Sequence, residues 1–339
     1  MENKKPIILI SNDDGINAAG LTALIQALHE DAGAKIYVCV PDGQRSATSH
    51  GITMNKPITV EQVELEHVEL AYTTSGLPAD CIKVGMEFLR RAGVHIDMVY
   101  SGINHGGNLG TDTLYSGTVA AAIEGSLCGV PSVAVSVDSH RAEHFDFACE
   151  LAVNAAKALA AQIQDGTADH RMVLNINTPN KPKEEIKGVK YTKLGPREYE
   201  EIFVPADVDS DEALARREAA RAAAAAKMEA DMAARDAAAD LAKAGEAVGT
   251  AQSVDIEAAM AAADREAFAV SAEEAELIGA DEVKLPGSFR YSGTPVVYHD
   301  LPEDLDVVAH QQGYATITPI HSDLTHYAMV DEIKGWNLG

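Results

Sequence analysis

A short apolar run near the start of the chain leads into two adjacent carboxylates, and this junction constrains the fold more than any other stretch. Residues 7–10 (Ile-Ile-Leu-Ile) have the continuous apolar character of a strand buried on both faces. Asp13 and Asp14 follow almost at once. Buried carboxylates are costly unless a cation meets them, and ligands of open α/β sheets bind at this end of the strands. The pattern predicts either a divalent-metal site or an ordinary turn that caps the next helix.

Similar apolar runs recur along the chain and alternate with segments of helical periodicity. This alternation predicts an α/β fold: a Rossmann-like, mostly parallel sheet flanked by helices, with a peripheral β arm and an Ala-rich helical insertion. The predicted core strands are 7–11, 35–40, 97–100, 132–137, 172–177 and 314–320, with a small hairpin within 52–74 and a peripheral strand at 187–194. The predicted helices begin near 21, 78, 119 and 143, and a terminal helix covers 326–336. Residues 290–298 suggest a further strand around Gly293, and 304–310 are ambiguous.

Three polar segments are expected at the same edge of this sheet as the two carboxylates. Residues 43–51 form a loop of small polar residues, and residues 101–110 form a loop with four glycines. Ser116, Gly117 and Thr118 begin a small-residue helix, where free amides attract anions. Each segment also has a plain structural interpretation, namely a surface loop or an N-cap. The glycine loop matches neither of the common nucleotide-binding motifs.

Composition excludes several classes of function. The net charge of −25 argues against binding of DNA or RNA, whereas a bound metal would still admit a small phosphorylated substrate. No stretch is long enough to span a membrane. The four cysteines are expected to be buried free thiols, which fits a reducing cytoplasm; they are Cys39, Cys81, Cys128 and Cys149. A soluble cytoplasmic protein is therefore expected.

Residues 206–282 change character abruptly, because they are rich in alanine and acidic side chains. Alanine favours helices, so a helical insertion is predicted, either a solvated arm or an arm that binds a partner. The expected domains are a Rossmann-like core at 1–204 that carries the candidate metal site, the insertion at 205–285, and a C-terminal β arm with a terminal helix at 286–339 that completes the core or the oligomer.

Four motifs together resemble the SurE family of survival proteins, which are metal-dependent nucleotidases. They are Asn12-Asp13-Asp14-Gly15, Pro41-Asp42 through Arg45-Ser46, Ser101-Gly102-Ile103-Asn104 through Asn108-Leu109-Gly110, and Tyr115-Ser116-Gly117-Thr118 with the following Val-Ala-Ala-Ala. The resemblance covers about residues 5–204 and resumes near 290, where Gly313-Tyr314, Thr318-Pro319 and Asp323-Leu324-Thr325 match. Relatives usually have a much shorter connection in place of 206–282.

The resemblance implies roles for particular residues. The metal ligands would be Asp13, Asp14, Ser46 and Asn104, which would hold one divalent ion, Mg²⁺ or Mn²⁺. Phosphate binders would be Asn108, Ser116, Gly117 and Thr118. The family also implies a homodimer or homotetramer formed through an exchanged C-terminal arm.

The expected reaction is removal of phosphate from nucleoside 5′-monophosphates, with 3′-monophosphates as a further substrate. Asp13 and Asp14 would be catalytic, with attack by water favoured over a covalent route through either carboxylate. His105 would be the general acid or an ordinary loop residue. His50, His140, His144, His310, His321 and His326 are interpreted as surface or capping residues. Two alternatives remain open: a broader phosphatase that also takes short polyphosphate, and a non-enzymatic interaction protein that uses the helical arm.

Overall fold

The computed structural model describes residues 5–200, 203–205, 289–291, 294–296, 298 and 301–336. The chain divides into two compact units. The first combines Met1–Gly195 with Glu303–Gly339, and the second is Pro196–Pro302. All the residues predicted to form the site belong to the first unit. The predicted insertion at 205–285 lies, apart from residue 205, outside the described residues.

The described secondary structure begins as an alternation of strands and helices. The strands are β1 (Ile7–Ser11), β2 (Lys35–Pro41), β3 (Val60–Val63), β4 (Leu70–Thr74), β5 (Met98–His105), β6 (Ser132–Asp138), β7 (Val173–Pro179), β8 (Val189–Tyr191), β9 (Tyr199–Glu200), β10 (Phe203–Pro205), β11 (Phe289–Tyr291), β12 (Thr294–Pro295) and β13 (Ala315–Ile320). The helices are α1 (Ala19–Glu30), α2 (Pro78–Arg91), α3 (Gly117–Leu127), α4 (Asp146–Asp165), α5 (Asp306–Gln311) and α6 (Tyr327–Lys334). In the second unit, β9 pairs with β12 and β10 pairs with β11, both antiparallel.

The first unit is built on a nine-stranded sheet in the order β3-β4-β2-β1-β5-β6-β7-β13-β8. Only the β3–β4 and β7–β13 pairs in this sheet are antiparallel. The predicted α/β fold with a mostly parallel sheet is therefore confirmed. The chain moves outward from β1 to β2 and β4, then returns to place β5 on the other side of β1. The carboxyl ends of β1 and β5 thus meet at a topological switch point, where such sheets bind ligands.

Alternate residues of the buried strands face different helices. Ile8 and Ile10 of β1 pack in the cluster that contains the apolar residues of α1 and α4. Leu9, between them, packs with apolar residues of α2 and α3 on the opposite face. Both faces of β1 are covered, so its apolar character is continuous. The covered sheet fixes where β1 ends and hence where Asp13 and Asp14 lie.

Several element predictions needed correction. The strand predicted to end at residue 100 continues to His105 and carries a register irregularity between Ser101 and Asn104. This bulge lets a strand include residues that look like a loop, and such bulges are common beside functional sites. The ambiguous segment 304–310 forms most of helix α5, which ends at Gln311. The single strand predicted at 290–298 is wrong for the described residues, because β11 and β12 pair with different strands.

The prediction for the cysteines holds only in part. All four are free, and Cys39 and Cys81 are buried. Cys128 is exposed and Cys149 is half-buried, so the prediction of burial is wrong for Cys128 and only partly right for Cys149. Cys128 follows the last residue of α3, where the helix leaves the core. In the part of the chain that the structure describes, none of the helices combines the length and the apolar composition of a membrane span.

Candidate active site

The two carboxylates after β1 lie side by side but in different environments. Asp13 is only 4% exposed, and its Oδ1 accepts a hydrogen bond of 2.5 Å from the hydroxyl of Thr118. Burial raises the pKa of Asp13 to about 6, and the neighbouring charge of Asp14 adds to this rise despite the opposing hydrogen bonds from Thr118. A carboxylate that is costly to ionise is one that a cation would stabilise.

Asp14 meets the end of β5 across the switch point. Its Oδ2 accepts a hydrogen bond of 3.2 Å from the backbone amide of His105 and lies 3.1 Å from the Nδ1 of the same residue. The His105 ring packs edge-on against Phe145, with ring centroids 5.5 Å apart. Asp14 therefore holds one end of β5 in place, and Phe145 sets the orientation of the imidazole.

The start of α3 packs directly against Asp13. Ser116 caps the helix by accepting a hydrogen bond of 3.0 Å from the amide of Val119. A Cβ atom at Gly117 would lie 2.9 Å from the Cβ of Asp13 and 3.1 Å from Pro78, so only glycine fits there without a shift. The positive end of the helix dipole thus faces the carboxylate, which places the predicted phosphate segment beside the predicted metal segment.

The loop that carries Ser46 is tied to both of these segments. The amide of Arg45 donates to the carbonyl oxygen of Asp13 at 2.7 Å. Ser49 donates through its amide to the carbonyl oxygen of Tyr115 and through its hydroxyl to that of Leu114. Ser46 itself is exposed, and its hydroxyl accepts from the side-chain amide of Gln44 at 3.0 Å. The loop is fixed by its neighbours while the Ser46 hydroxyl stays accessible.

A buried glutamate on α3 anchors the end of this loop. The Oε2 of Glu124 lies 2.9 Å from the Nε2 of His50, and its Oε1 accepts from Lys83 at 2.6 Å. Burial by itself would raise the pKa of Glu124, but the hydrogen bonds from His50 and Lys83 outweigh it and lower the pKa. The interpretation of His50 as a surface or capping residue is therefore incomplete, because it holds a buried partner.

The glycine loop is less open than its composition suggests. Its amides at Gly106, Gly107, Asn108 and Gly110 donate to protein acceptors, namely Val137 O, Asp138 Oδ1, Asn177 Oδ1 and Asp306 Oδ2. Four glycines indicate close approach of the backbone to another group. Here that group includes other parts of the protein.

Asn108 is buried in a polar network at the ends of β6 and β7. Its side-chain NH₂ group donates to the hydroxyl of Ser136 at 2.8 Å. Its backbone carbonyl oxygen accepts from the side chains of Asn175 and Asn177. The sequence reasoning missed these supporting residues. The available pattern was the alternation of polar side chains within apolar runs, which places them on one face of each strand.

The predicted metal ligands keep oxygen atoms that could bind a cation. The side-chain NH₂ group of Asn104 donates to the carbonyl oxygen of Gly106 at 2.7 Å. The side-chain oxygen of Asn104 therefore remains available to bind a cation. The side-chain hydrogen bonds given above go to Asp13 Oδ1 and Asp14 Oδ2, and the Asp13 carboxylate also accepts from the backbone amide of Thr118. Each carboxylate oxygen has two lone pairs, so both groups keep acceptor capacity for a cation. Two carboxylates, one amide oxygen and one hydroxyl form a hard donor set that suits Mg²⁺ or Mn²⁺. The residues present therefore fit a divalent ion.

The structure brings together most of the predicted site residues. Asp13 contacts Thr118, Asp14 contacts His105, and Arg45 connects the Ser46 loop to Asp13. Asn108 instead contacts Ser136 and its neighbours.

The interpretation of His310 as a surface or capping residue is wrong, because its side chain is 9% exposed and lies 3.1 Å from Asp138. His326 does cap α6, as interpreted, by accepting from the amide of Met329.

Fold and site together define a doubly wound α/β protein with an oxygen-lined acidic site at the switch point, next to a helix N-terminus. Residues 8–201 match the family model described as "Survival protein SurE". The chain belongs to the SurE family. This confirms the family predicted from the four motifs.

The individual relatives and the solved structures agree with this assignment. The chain is 44% identical over 206 residues to "5′-nucleotidase SurE" of Microcystis aeruginosa, covering 60% of this chain and 74% of the relative. It is 46% identical over 197 residues to the protein of the same description from Heliobacterium modesticaldum, covering 58% and 70%. The crystal structure of the SurE protein from Aquifex aeolicus matches with a TM-score of 0.63 at 26% identity, covering 98% of this chain and 99% of that one.

Proposed function

We propose that this protein is a 5′-nucleotidase that removes phosphate from nucleoside 5′-monophosphates with the help of one divalent ion, Mg²⁺ or Mn²⁺. The observation that carries the proposal is the convergence of Asp13, Asp14 and the N-terminus of α3 at the switch point of the sheet. The family model matches this chain across the whole of that region, and relatives named as 5′-nucleotidases match it over 206 and 197 residues.

The ion would be held by Asp13, Asp14, Ser46 and Asn104. When bound, such an ion polarises the phosphoryl group and lowers the pKa of water. The chain positions these ligands through other contacts, because Thr118 fixes Asp13 and the β5 backbone fixes Asp14. Two adjacent carboxylates in a nearly buried site would otherwise repel each other.

The phosphoryl group would lie at the start of α3, next to the ion. The first amides of a helix have no partner within it, and the cap by Ser116 uses only the amide of Val119. The amide of Gly117 and the second N–H of the Asn108 side chain are therefore donors for phosphate oxygens. Donors placed in advance stabilise the charge that develops on these oxygens.

Proton transfer to the leaving alkoxide is assigned to His105. Its Nδ1 lies next to Asp14, so the Nε2–H of the protonated ring would be the group that donates to the alkoxide. Water is the proposed nucleophile. The covalent alternative through Asp13 is disfavoured, because this carboxylate is already bonded to Thr118 and would also bind the ion.

The finer parts of the proposal concern substrate range and assembly. Activity toward 3′-monophosphates is proposed as secondary, with short polyphosphate as the alternative of a broader phosphatase. A cytoplasmic homodimer or homotetramer with an exchanged C-terminal arm is proposed from family resemblance. The proposed domains are a core at 1–204, an insertion at 205–285 and a C-terminal part at 286–339.

A substrate panel tests this function. Phosphate release would be measured with 5′-AMP, 3′-AMP and tripolyphosphate, each with Mn²⁺, with Mg²⁺ and with EDTA. We expect fastest release from 5′-AMP and loss of activity in EDTA. Equal release from all three compounds would favour the broad phosphatase. Absence of release from folded protein supplied with metal would reject the enzyme and favour an interaction protein.

A further inference from the structure

A short helix from the C-terminal part of the chain holds the glycine loop that contains Asn108. Helix α5 carries Asp306 and His310, which lie four residues apart and therefore share one helix face. Their contacts reach the two ends of the loop segment 107–110 that carries Asn108: Gly110 directly, and Gly107 through Asp138. Neither residue belongs to the motifs that point to the metal or phosphate site.

Asp306 holds the far end of the loop. It is fully buried, and its carboxylate accepts hydrogen bonds of 2.8 Å from the amides of Gly110, Gly195 and Val307. The backbone segments pack tightly around it, since a Cβ atom at Gly110 would lie 2.3 Å from the carbonyl oxygen of Gly195. Gly110 also has a φ of +52°. A larger residue could not bring this segment so close to the carboxylate.

His310 holds the near end of the loop through Asp138. The amide of Gly107 donates to Asp138 Oδ1 at 3.2 Å, and Asp138 Oδ2 lies 3.1 Å from His310 Nε2. The Nδ1 of His310 is buried and has no hydrogen-bond partner among the described residues. An unsatisfied buried nitrogen costs free energy. The contact of Nε2 with Asp138 is the interaction that offsets this cost and keeps the ring in place.

These contacts fix the backbone on both sides of Asn108. Gly107 precedes it, Gly110 follows two residues later, and its own amide donates to Asn177. The side chain proposed to contact phosphate is therefore oriented by groups outside the motif that contains it. An error of about 1 Å in such a position costs up to about 100-fold in rate.

We propose that Asp306 and His310 are positioning residues that set Asn108 for the phosphoryl group. This inference rests on the proposed function and extends it to residues beyond position 302. Three of the four proposed metal ligands are held by contacts that do not involve α5: Asp14 bonds to β5, Asp13 bonds to α3, and Ser46 lies in a loop that Arg45 bonds to Asp13. The fourth, Asn104, bonds to Gly106, which is next to Gly107. Loss of the α5 contacts should therefore weaken phosphate binding far more than metal binding.

The test compares His310→Ala with His310→Gln in the full chain. Glutamine can present a donor near the position of Nε2, so it should rescue the contact, whereas alanine cannot. For His310→Ala we expect kcat/KM for 5′-AMP and affinity for inorganic phosphate to fall about tenfold or more. For His310→Gln we expect values within about threefold of wild type, and in both variants a Kd for Mn²⁺ within about twofold of wild type. Asp304→Asn, an exposed change two residues before Asp306, is the matched control.

Amide hydrogen exchange of the peptide containing residues 106–110 provides a readout that needs no activity. Exchange should be faster in His310→Ala and in Asp306→Asn than in wild type and Asp304→Asn. If Asp306→Asn does not fold, the two His310 variants decide the matter. Unchanged exchange and kcat/KM in His310→Ala, equal damage in His310→Gln, or a matching loss of Mn²⁺ affinity would overturn the proposal. If wild type releases no phosphate, the proposed function fails, and exchange alone decides whether α5 holds the loop.

Discussion

The residues that matter most here are polar groups placed at the ends of apolar strands. Asp13 is the clearest case, because burial and the neighbouring Asp14 make its charge costly in the folded protein. Thr118 reduces that cost by hydrogen bonding to the carboxylate but does not remove it. The site is therefore under electrostatic strain that a bound cation would relieve.

Asp13→Asn should stabilise the protein in EDTA. The folded state binds a proton at Asp13 more tightly than the unfolded state does. The free energy of unfolding therefore falls as pH rises from about 4 to about 6. A pKa raised to about 6 corresponds to a free energy of unfolding that is lower by at most roughly 3 kcal/mol at pH 8. Urea unfolding of wild type and Asp13→Asn at pH 8 and pH 4.5 measures this. An equal difference at both pH values would contradict it.

Adding Mn²⁺ should reverse the order of stability. An ion that binds only the folded state raises the melting temperature with concentration, and it should do so in wild type but hardly at all in Asp13→Asn. Scanning calorimetry with Mn²⁺ titrated from zero to saturation measures the shift. Equal shifts in the two proteins would place the ion elsewhere.

At the scale of elements, the site depends on loops fixed by buried carboxylates. Glu124 on α3 holds His50, and thereby the loop that carries Ser46. Sequence reasoning predicted strands and helices well, because their periodic apolar patterns report directly on burial. It could not predict which polar residues would meet across the fold, since Glu124 and His50 are 74 residues apart.

Glu124→Gln should lower stability more at pH 7 than at pH 4. The pKa of Glu124 is lowered in the folded protein, so its contribution is present above the ordinary pKa of glutamate and is lost as pH falls. We expect a loss of about 1–2 kcal/mol at pH 7, since Gln keeps one acceptor but no charge. Denaturant unfolding at both pH values measures this loss. Glu87→Gln, an exposed and ion-paired position on α2, is the control and should show little effect at either pH.

At the scale of the whole molecule, the proposed site is assembled from segments at both ends of the first unit. Residues 11–14, 43–51 and 101–118 supply the predicted ligands, and α5 returns after the Ala-rich stretch to hold the glycine loop. The family and the sheet were predicted from local patterns in the sequence and are confirmed, whereas the ligands, which also follow from local motifs, stay a prediction. The contacts of α5 had no such pattern, since Asp306 and His310 meet residues 196 and 172 positions earlier in the chain.

Deleting residues 206–282 and joining the ends by a short Gly-Ser linker should preserve phosphate release. All the proposed site residues lie in Met1–Gly195 and Glu303–Gly339, so the deletion removes none of them. We expect kcat/KM for 5′-AMP within about tenfold of the full chain, given that linkers of this kind close gaps at modest entropic cost. A folded deletion variant without activity would show that the stretch takes part in the reaction.

The central claim is that Asp13 and Asp14 form the metal site of a 5′-nucleotidase. Its most direct test measures phosphate release from 5′-AMP with Mn²⁺ for wild type, Asp13→Asn, Asp14→Asn and the exposed control Asp331→Asn, whose side chain is 88% exposed. The account predicts activity in wild type and control, abolished by EDTA, with at least about a 100-fold loss in each site variant. Activity in folded Asp13→Asn close to that of wild type would contradict it.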